Sequence, residues 1–180
     1  SNSSTIKCLQ DENNAYSYAD VDRLISCFSN HLFPRVTSLI LADNTVGSVI
    51  AYLACLRTGT VPLLLPSDTH PKLLSSYILR YNIQLILCPD QYLPLFSEYS
   101  LSFTSLGFSV LIGNINQSIK VNPRLALLLT TSGSTGNPKL VKLSYSNLKS
   151  NALSIIKYLN ITHNSKHITT LPMSYTYGLS

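Results

Sequence analysis

The residues best suited to chemistry are concentrated in one run, Thr130-Thr131-Ser132-Gly133-Ser134-Thr135-Gly136-Asn137-Pro138-Lys139. Gly133 and Gly136 permit backbone conformations that turn successive N–H groups toward one point, forming a nest for an anion. Thr131, Ser132, Ser134 and Thr135 offer hydroxyl donors to the same point. Pro138 stiffens the exit and Lys139 supplies a full positive charge. Convergent N–H, O–H and ammonium donors are what a polyphosphate requires. By composition alone a plain Ser/Gly hairpin is the simpler reading, because every residue type in the run favours turns.

The run is not a Walker loop, which needs G-x-x-x-x-G-K-[ST] leading into a helix. Five residues after Gly133 stands Pro138, and a strand pattern follows. Other candidate ligands are weaker. His163 and His167 sit four apart, but Asn160, Thr162, Asn164 and Ser165 around them read as a loop with no acidic partner, so no metal site is expected. Cys8, Cys27, Cys55 and Cys88 have no knuckle or redox spacing, which points to reduced thiols in a cytoplasmic protein. Sequons at Asn2, Asn116 and Asn160 have no signal peptide to give them meaning.

The flanking elements follow from periodicity. Ser17 and Asp20 form a capping box, and Val21, Leu24, Ile25, Phe28 and Leu32 continue at helical spacing until Pro34. Ser38 to Ala42 is a short apolar strand. Asn44 is expected to cap a second helix with Val46, Val49, Ile50 and Leu53 inward, closed by Arg57 and Gly59. Val61 to Leu65 returns as a strand, and Pro71 opens a third helix that turns Leu74, Tyr77, Ile78 and Tyr81 inward. Strands are also expected at Leu85–Leu87, Ser109–Ile112, Leu125–Thr130, Leu140–Leu143 and His167–Leu171, with Pro89–Thr104 irregular. Ser144 or Ser146 caps a helix bearing Leu148, Ala152, Ile155, Ile156 and Leu159 on one face. Strands made of continuous apolar runs, alternating with helices, predict an α/β fold: a largely parallel sheet with helices on both faces.

The 180 residues are 45% apolar and 12% charged, which suits a packed interior and argues against disorder. Thirteen Lys and Arg against eight Asp and Glu give a net charge of +5. The cations are scattered, with no basic stripe, so no nucleic-acid partner is expected. The longest apolar stretch, Val46 to Leu56, is too short to span a bilayer.

The order of residues decides what composition leaves open. T-S-G-S-T-G-x-P-K resembles the signature phosphate loop of the adenylate-forming superfamily, which includes acyl-CoA synthetases, peptide-synthetase adenylation domains and luciferases. Eight fixed positions at roughly 6% usage each would match by chance about once in ten billion windows. The resemblance extends along nearly the whole chain. Ser17-Tyr18-Ala19-Asp20-Val21 is similar to the family's T-Y-x-E-L, and Leu56-Arg57-Thr58-Gly59-Thr60-Val61-Pro62 to L-K-A-G-A-x-x-P. Ser144-Tyr145-Ser146-Asn147-Leu148 is similar to L-T-H-x-N-L, and Leu171-Pro172-Met173-Ser174-Tyr175-Thr176-Tyr177-Gly178 to the acyl-pocket motif L-P-L-F-H-x-x-G. Two positions depart from the pattern: Leu140 stands where a glycine is usual, and Tyr175 stands at the aromatic or histidine position. The S-Y-x-Y-G-L-S form is more similar to bacterial acyl-CoA-synthetase-like proteins than to peptide-synthetase domains.

The resemblance implies ATP-dependent activation of a carboxylic acid to acyl-AMP, followed by transfer to a thiol, coenzyme A or a phosphopantetheine carrier. It assigns phosphate binding to Thr131, Ser132, Gly133, Ser134, Thr135, Gly136 and Lys139, with Lys139 as the catalytic cation. Tyr175 and Gly178 would line the acid pocket. Residues 1–180 would form the N-terminal portion of the AMP-binding large domain. The adenine site, the Mg²⁺ ligand and the mobile C-terminal domain are expected beyond Ser180. The opening Ser1-Asn2 is read as a processing scar, and the fragment alone is expected to be inactive and prone to self-association through an uncovered sheet edge. Amino-acid adenylation and a non-catalytic phosphate- or nucleotide-binding module are the alternatives.

Overall fold

The computed structural model describes residues 6–115, 121–130, 140–175 and 179. An antiparallel hairpin opens the chain, β1 (Lys7–Gln10) with β2 (Ala15–Ser17), which the sequence reading did not foresee. Its turn is tied by the Asp11 carboxylate, which accepts from the backbone N–H of Asn13 and Asn14 at 2.8 and 2.6 Å. Ser17 then caps α1 (Tyr18–Ser29) in the expected box with Asp20. These bonds, with Arg23 beside the carboxylate, hold the Asp20 carboxyl below its usual range.

A βαβαβ unit follows: β3 (Thr37–Ala42), α2 (Val46–Thr58), β4 (Val61–Pro66), α3 (Pro71–Arg80) and β5 (Leu85–Pro89). Beyond it come β6 (Ser100–Ser105), β7 (Phe108–Ile112), β8 (Leu125–Thr130), β9 (Leu140–Ser144) and α4 (Tyr145–Tyr158). The main sheet runs β6-β7-β5-β3-β4-β8-β9 among the described residues. Its centre, β5-β3-β4-β8, is parallel, while β6, β7 and β9 extend the margins antiparallel.

Strand alternation divides the apolar runs between two cores. Ile40, Leu64, Leu85, Leu87 and Leu129 pack with Ile25 and Phe28 of α1 and Ile50 of α2. Leu39, Leu41, Leu63, Leu65 and Ile86 pack with Leu74 and Tyr77 of α3 on the opposite face. The sheet is therefore covered on both faces, as the continuous runs predict.

Several local expectations are corrected. Thr45, not Asn44, caps α2; its Oγ1 accepts from the Ser48 N–H at 3.3 Å. The buried face of α2 is Gly47, Ser48, Ala51, Ala54 and Cys55 beside Val46 and Ile50, whereas Val49 and Leu53 are only half-buried. Small residues face the sheet because the helix lies close to it. A Cβ on Gly47 would stand 2.9 Å from Phe108 Cβ. The Pro89–Thr104 stretch resolves into a 3₁₀ helix, Asp90–Phe96, and strand β6. His167–Leu171 is not a strand, because it runs beside α4 along a groove of about 450 Å³ instead of joining a sheet edge. No residue of α4 is buried; Ile156 and Leu159 are exposed. Among the described residues no helix is long and apolar enough to cross a membrane.

Candidate active site at the carboxyl end of the sheet

Parallel strands β3, β4 and β8 end on the same edge. Ala42 pairs with Pro66, and Leu64 with Leu129, which brings Thr130 level with Leu65. β3 leaves this edge into α2 on one face of the sheet, whereas β4 leaves into α3 on the other. Diverging connections open a crevice at the carboxyl ends, the place where open α/β sheets bind ligands. Two polar residues stand at that divergence: Ser67, just past β4, donates its hydroxyl hydrogen to the Asp43 carboxylate, just past β3. The Asp43 N–H in turn donates to Ser48 Oγ at 3.0 Å, so the start of α2 and the end of β3 are one bonded unit.

Thr130 ends β8 beside β4, and its partner on β9 is Leu140. The segment joining them carries the sequence-predicted phosphate binders Thr131, Ser132, Gly133, Ser134, Thr135 and Gly136 and the catalytic candidate Lys139. Those seven residues lie outside the described residues, as does Gly178. What the structure establishes is where both flanks sit: at the crevice edge of a parallel sheet, joined strand to strand and not strand to helix. Leu140, which departs from the family glycine, is a half-buried strand residue packed against the α3-side core. After β9, Ser144 is the N-cap of α4, in a capping box with Asn147. Tyr145 reaches back to donate to the Leu56 carbonyl at 3.2 Å.

The segment bearing Tyr175 is brought to the same edge. Asn44 stands two residues past the end of β3; its Nδ2 donates to the Leu171 carbonyl at 2.9 Å and its Oδ1 accepts from the Met173 N–H at 3.0 Å. Met173 is buried against the α1/α2 core. The chain then turns, with the Tyr175 N–H donating to the Pro172 carbonyl at 3.0 Å. Tyr175 itself is 56% exposed, so its ring is not committed to packing. Ser174 is buried, and its hydroxyl has no partner among the described residues. The role of Asn44 was not found from sequence, since a helix-cap reading accounts for any Asn at that position. Two apolar hollows flank α4, one of about 340 Å³ lined by Tyr52, Leu56 and Leu148, the other the groove along residues 167–171. Neither is lined by Thr130 or Tyr175.

Comparison with known proteins agrees with this geometry. The family model described as AMP-binding enzyme matches residues 2–180. Malformin synthetase of Aspergillus vadensis is 31% identical over 170 residues, covering 84% of this chain and 3% of that protein. A nonribosomal peptide synthetase of Gibberella zeae is 27% identical over 183 residues, covering 96% of this chain and 2% of that protein. Among solved structures, o-succinylbenzoate CoA synthetase of Bacillus subtilis, in complex with its acyl-adenylate intermediate, superposes with a TM-score of 0.74. It is 19% identical and covers 93% of this chain and 46% of that one. Apo MatB of Rhodopseudomonas palustris gives 0.73 at 23% identity, covering 92% of this chain and 37% of that one. The chain thus spans a few per cent of the length of these curated relatives and under half of these solved chains.

Proposed function

We propose, from the premise that this chain belongs to the AMP-binding enzyme family, that the full-length protein is an adenylate-forming acid–thiol ligase. Residues 1–180 are read as the N-terminal portion of its large domain. The observation that carries the proposal is the T-S-G-S-T-G-N-P-K segment leaving Thr130 and returning at Leu140, at the crevice edge of the parallel sheet. A carboxylate oxygen of the acid attacks the α-phosphorus of ATP; the bond from that phosphorus to the bridging oxygen breaks, and pyrophosphate leaves. The carboxylate is already ionised and nucleophilic, so the step needs no general base. It needs positioning and neutralisation of charge on the leaving group. Thr131, Ser132, Ser134 and Thr135 would donate to the β- and γ-phosphates with the N–H groups of Gly133 and Gly136, and Lys139 would offset the developing charge. Tyr175 and Gly178 would form a wall for the acid.

The acyl group would then pass to a thiol, coenzyme A or a carrier phosphopantetheine. Among the described residues no three His, Cys, Asp or Glu side chains cluster to hold a metal. Four free thiols and an ATP-consuming reaction support a cytoplasmic location. A second reading, with an amino acid as the acid, is supported by the relative described as a nonribosomal peptide synthetase. Pyrophosphate–ATP exchange by the full-length protein, run against parallel panels of amino acids and of simple and aromatic carboxylic acids, tests both. Exchange dependent on one panel identifies the substrate class; exchange with neither removes the adenylation proposal.

A further inference from the structure

We infer that Asn44 is a positioning residue: its side-chain amide clamps the backbone on either side of Pro172 and so sets where Tyr175 stands at the crevice. This rests on the reading of Tyr175 as part of the acid pocket. The clamp uses both ends of the amide, Nδ2–H to the Leu171 carbonyl at 2.9 Å and Oδ1 from the Met173 N–H at 3.0 Å. These are the two backbone groups that a neighbouring strand would engage on residues i and i+2. Pro172 between them has no N–H, and the segment joins no sheet among the described residues, so the side chain substitutes for a ladder. Few side chains can do this. Asp lacks the donor and Ser has one polar atom, so only a short carboxamide offers donor and acceptor in one plane at this reach.

The clamp has a rigid base. Asn44 lies between Asp43, tied to both Ser67 and Ser48, and Thr45, which caps α2. On the other side the Met173 side chain is buried against the core, only two residues before Tyr175. The bonded residues are 127 and 129 positions apart in sequence, so the contact fixes the late segment against the first strand of the parallel unit. Asn44 and Leu171 are both exposed, so the freed Leu171 carbonyl can turn to water, and the buried Met173 side chain keeps its own hold on the core. Loss of the clamp should therefore loosen the placement of Tyr175 more than it unfolds the protein.

The experiment uses the full-length protein and three variants, Asn44→Ala, Asn44→Asp and Tyr175→Ala. Asn44→Ala should raise KM for the acid about tenfold and leave KM for ATP within about twofold, since a small misplacement near reacting groups costs one to two orders of magnitude. Amide hydrogen exchange should quicken across residues 171–175 and remain unchanged in β3 and β4. Asn44→Asp, which keeps the acceptor for Met173 and loses the donor, should fall between wild type and Asn44→Ala, and it serves as the test if Asn44→Ala does not fold. Unchanged acid KM and unchanged exchange at 171–175 would overturn the inference. So would an equal loss toward acid and ATP. The two readings fail separately: if Tyr175→Ala alters acid preference while Asn44→Ala does nothing, the clamp is wrong and the pocket stands. If Asn44→Ala raises the acid KM while Tyr175→Ala leaves preference intact, the clamp stands and Tyr175 is not the wall.

Discussion

Thr130 and Leu140 are partners across β8 and β9, and the segment proposed to hold phosphate departs from one and arrives at the other. Leu129 and Val141 pair behind them, so the ladder is intact up to the junction. A strand–loop–strand connection places both flanks of the loop on fixed backbone. A strand–loop–helix phosphate site instead exploits a helix N-terminus as well. Under the proposal the donors would come from residues 131–139 themselves, in keeping with their density of glycine, serine and threonine.

Gly47 sets how close α2 lies to the sheet that carries this junction. Gly47→Ala would put a Cβ 2.9 Å from Phe108 Cβ and 3.0 Å from the Leu106 carbonyl oxygen. Neither neighbour is the free end of a flexible chain, so the backbones must separate. The expected loss is about 1–3 kcal/mol, the usual range for overpacking. Chemical denaturation of the full-length protein measures it, and an unchanged midpoint would show that α2 is not held as tightly as this contact implies.

The thiols should divide into two pairs. Burial pushes Cys55 and Cys88 up to about 12 from an ordinary 9.0, while Cys8 is exposed and Cys27 half-buried. A thiol-reactive probe at pH 8 should label Cys8 and Cys27 and spare the other two until the protein unfolds, because the thiolate is the reactive form. Burial also pushes the Tyr52 phenol up to about 12 from 10.0. Unfolded, these groups would lose their protons near pH 9 to 10; folded, they keep them to about 12. The folded state thus binds more protons in that window, and stability falls as pH rises. Their contribution is complete below about pH 9 and lost by about pH 12. Equal labelling of all four thiols in native buffer, or a melting temperature that does not fall above pH 9, would contradict this.

Tyr175 is exposed enough that removing it should cost little stability, about 0.5 kcal/mol or less. Tyr175→Ala should instead reorder carboxylic acids by kcat/KM, with discrimination changing by about 1–3 kcal/mol and KM for ATP nearly fixed. A uniform loss across all acids together with a lower melting temperature would show the ring to be packing.

How much was legible depended on whether the cause was local. The Ser17–Asp20 box, Pro71 at the start of α3 and the apolar runs of β3, β4 and β5 all act within one turn or one strand, and each forms where its pattern predicts. α2 is apolar all round, so periodicity could not choose its buried face. Close approach to Phe108 chose the small residues. β6 and the opening hairpin are short and mixed in polarity, and they form because a partner strand is present. His167–Leu171 has a strand's composition but runs beside α4 and pairs with neither edge strand, β6 nor β9. At the site, the order of residues in Thr131–Lys139 carried the functional reading without any structure. The Asn44 clamp could not be read at all, because its meaning lies in two backbone groups more than 120 residues away.

The most direct test of the central claim is carboxylate-dependent pyrophosphate–ATP exchange by the full-length protein and its Lys139→Ala variant. If Lys139 neutralises charge on the departing pyrophosphate, the variant should fold with an unchanged melting temperature and exchange roughly 100-fold more slowly, about 3 kcal/mol of transition-state stabilisation. Near-wild-type exchange by a folded Lys139→Ala protein would remove the lysine from the chemistry and contradict the assignment of this segment as the phosphate site.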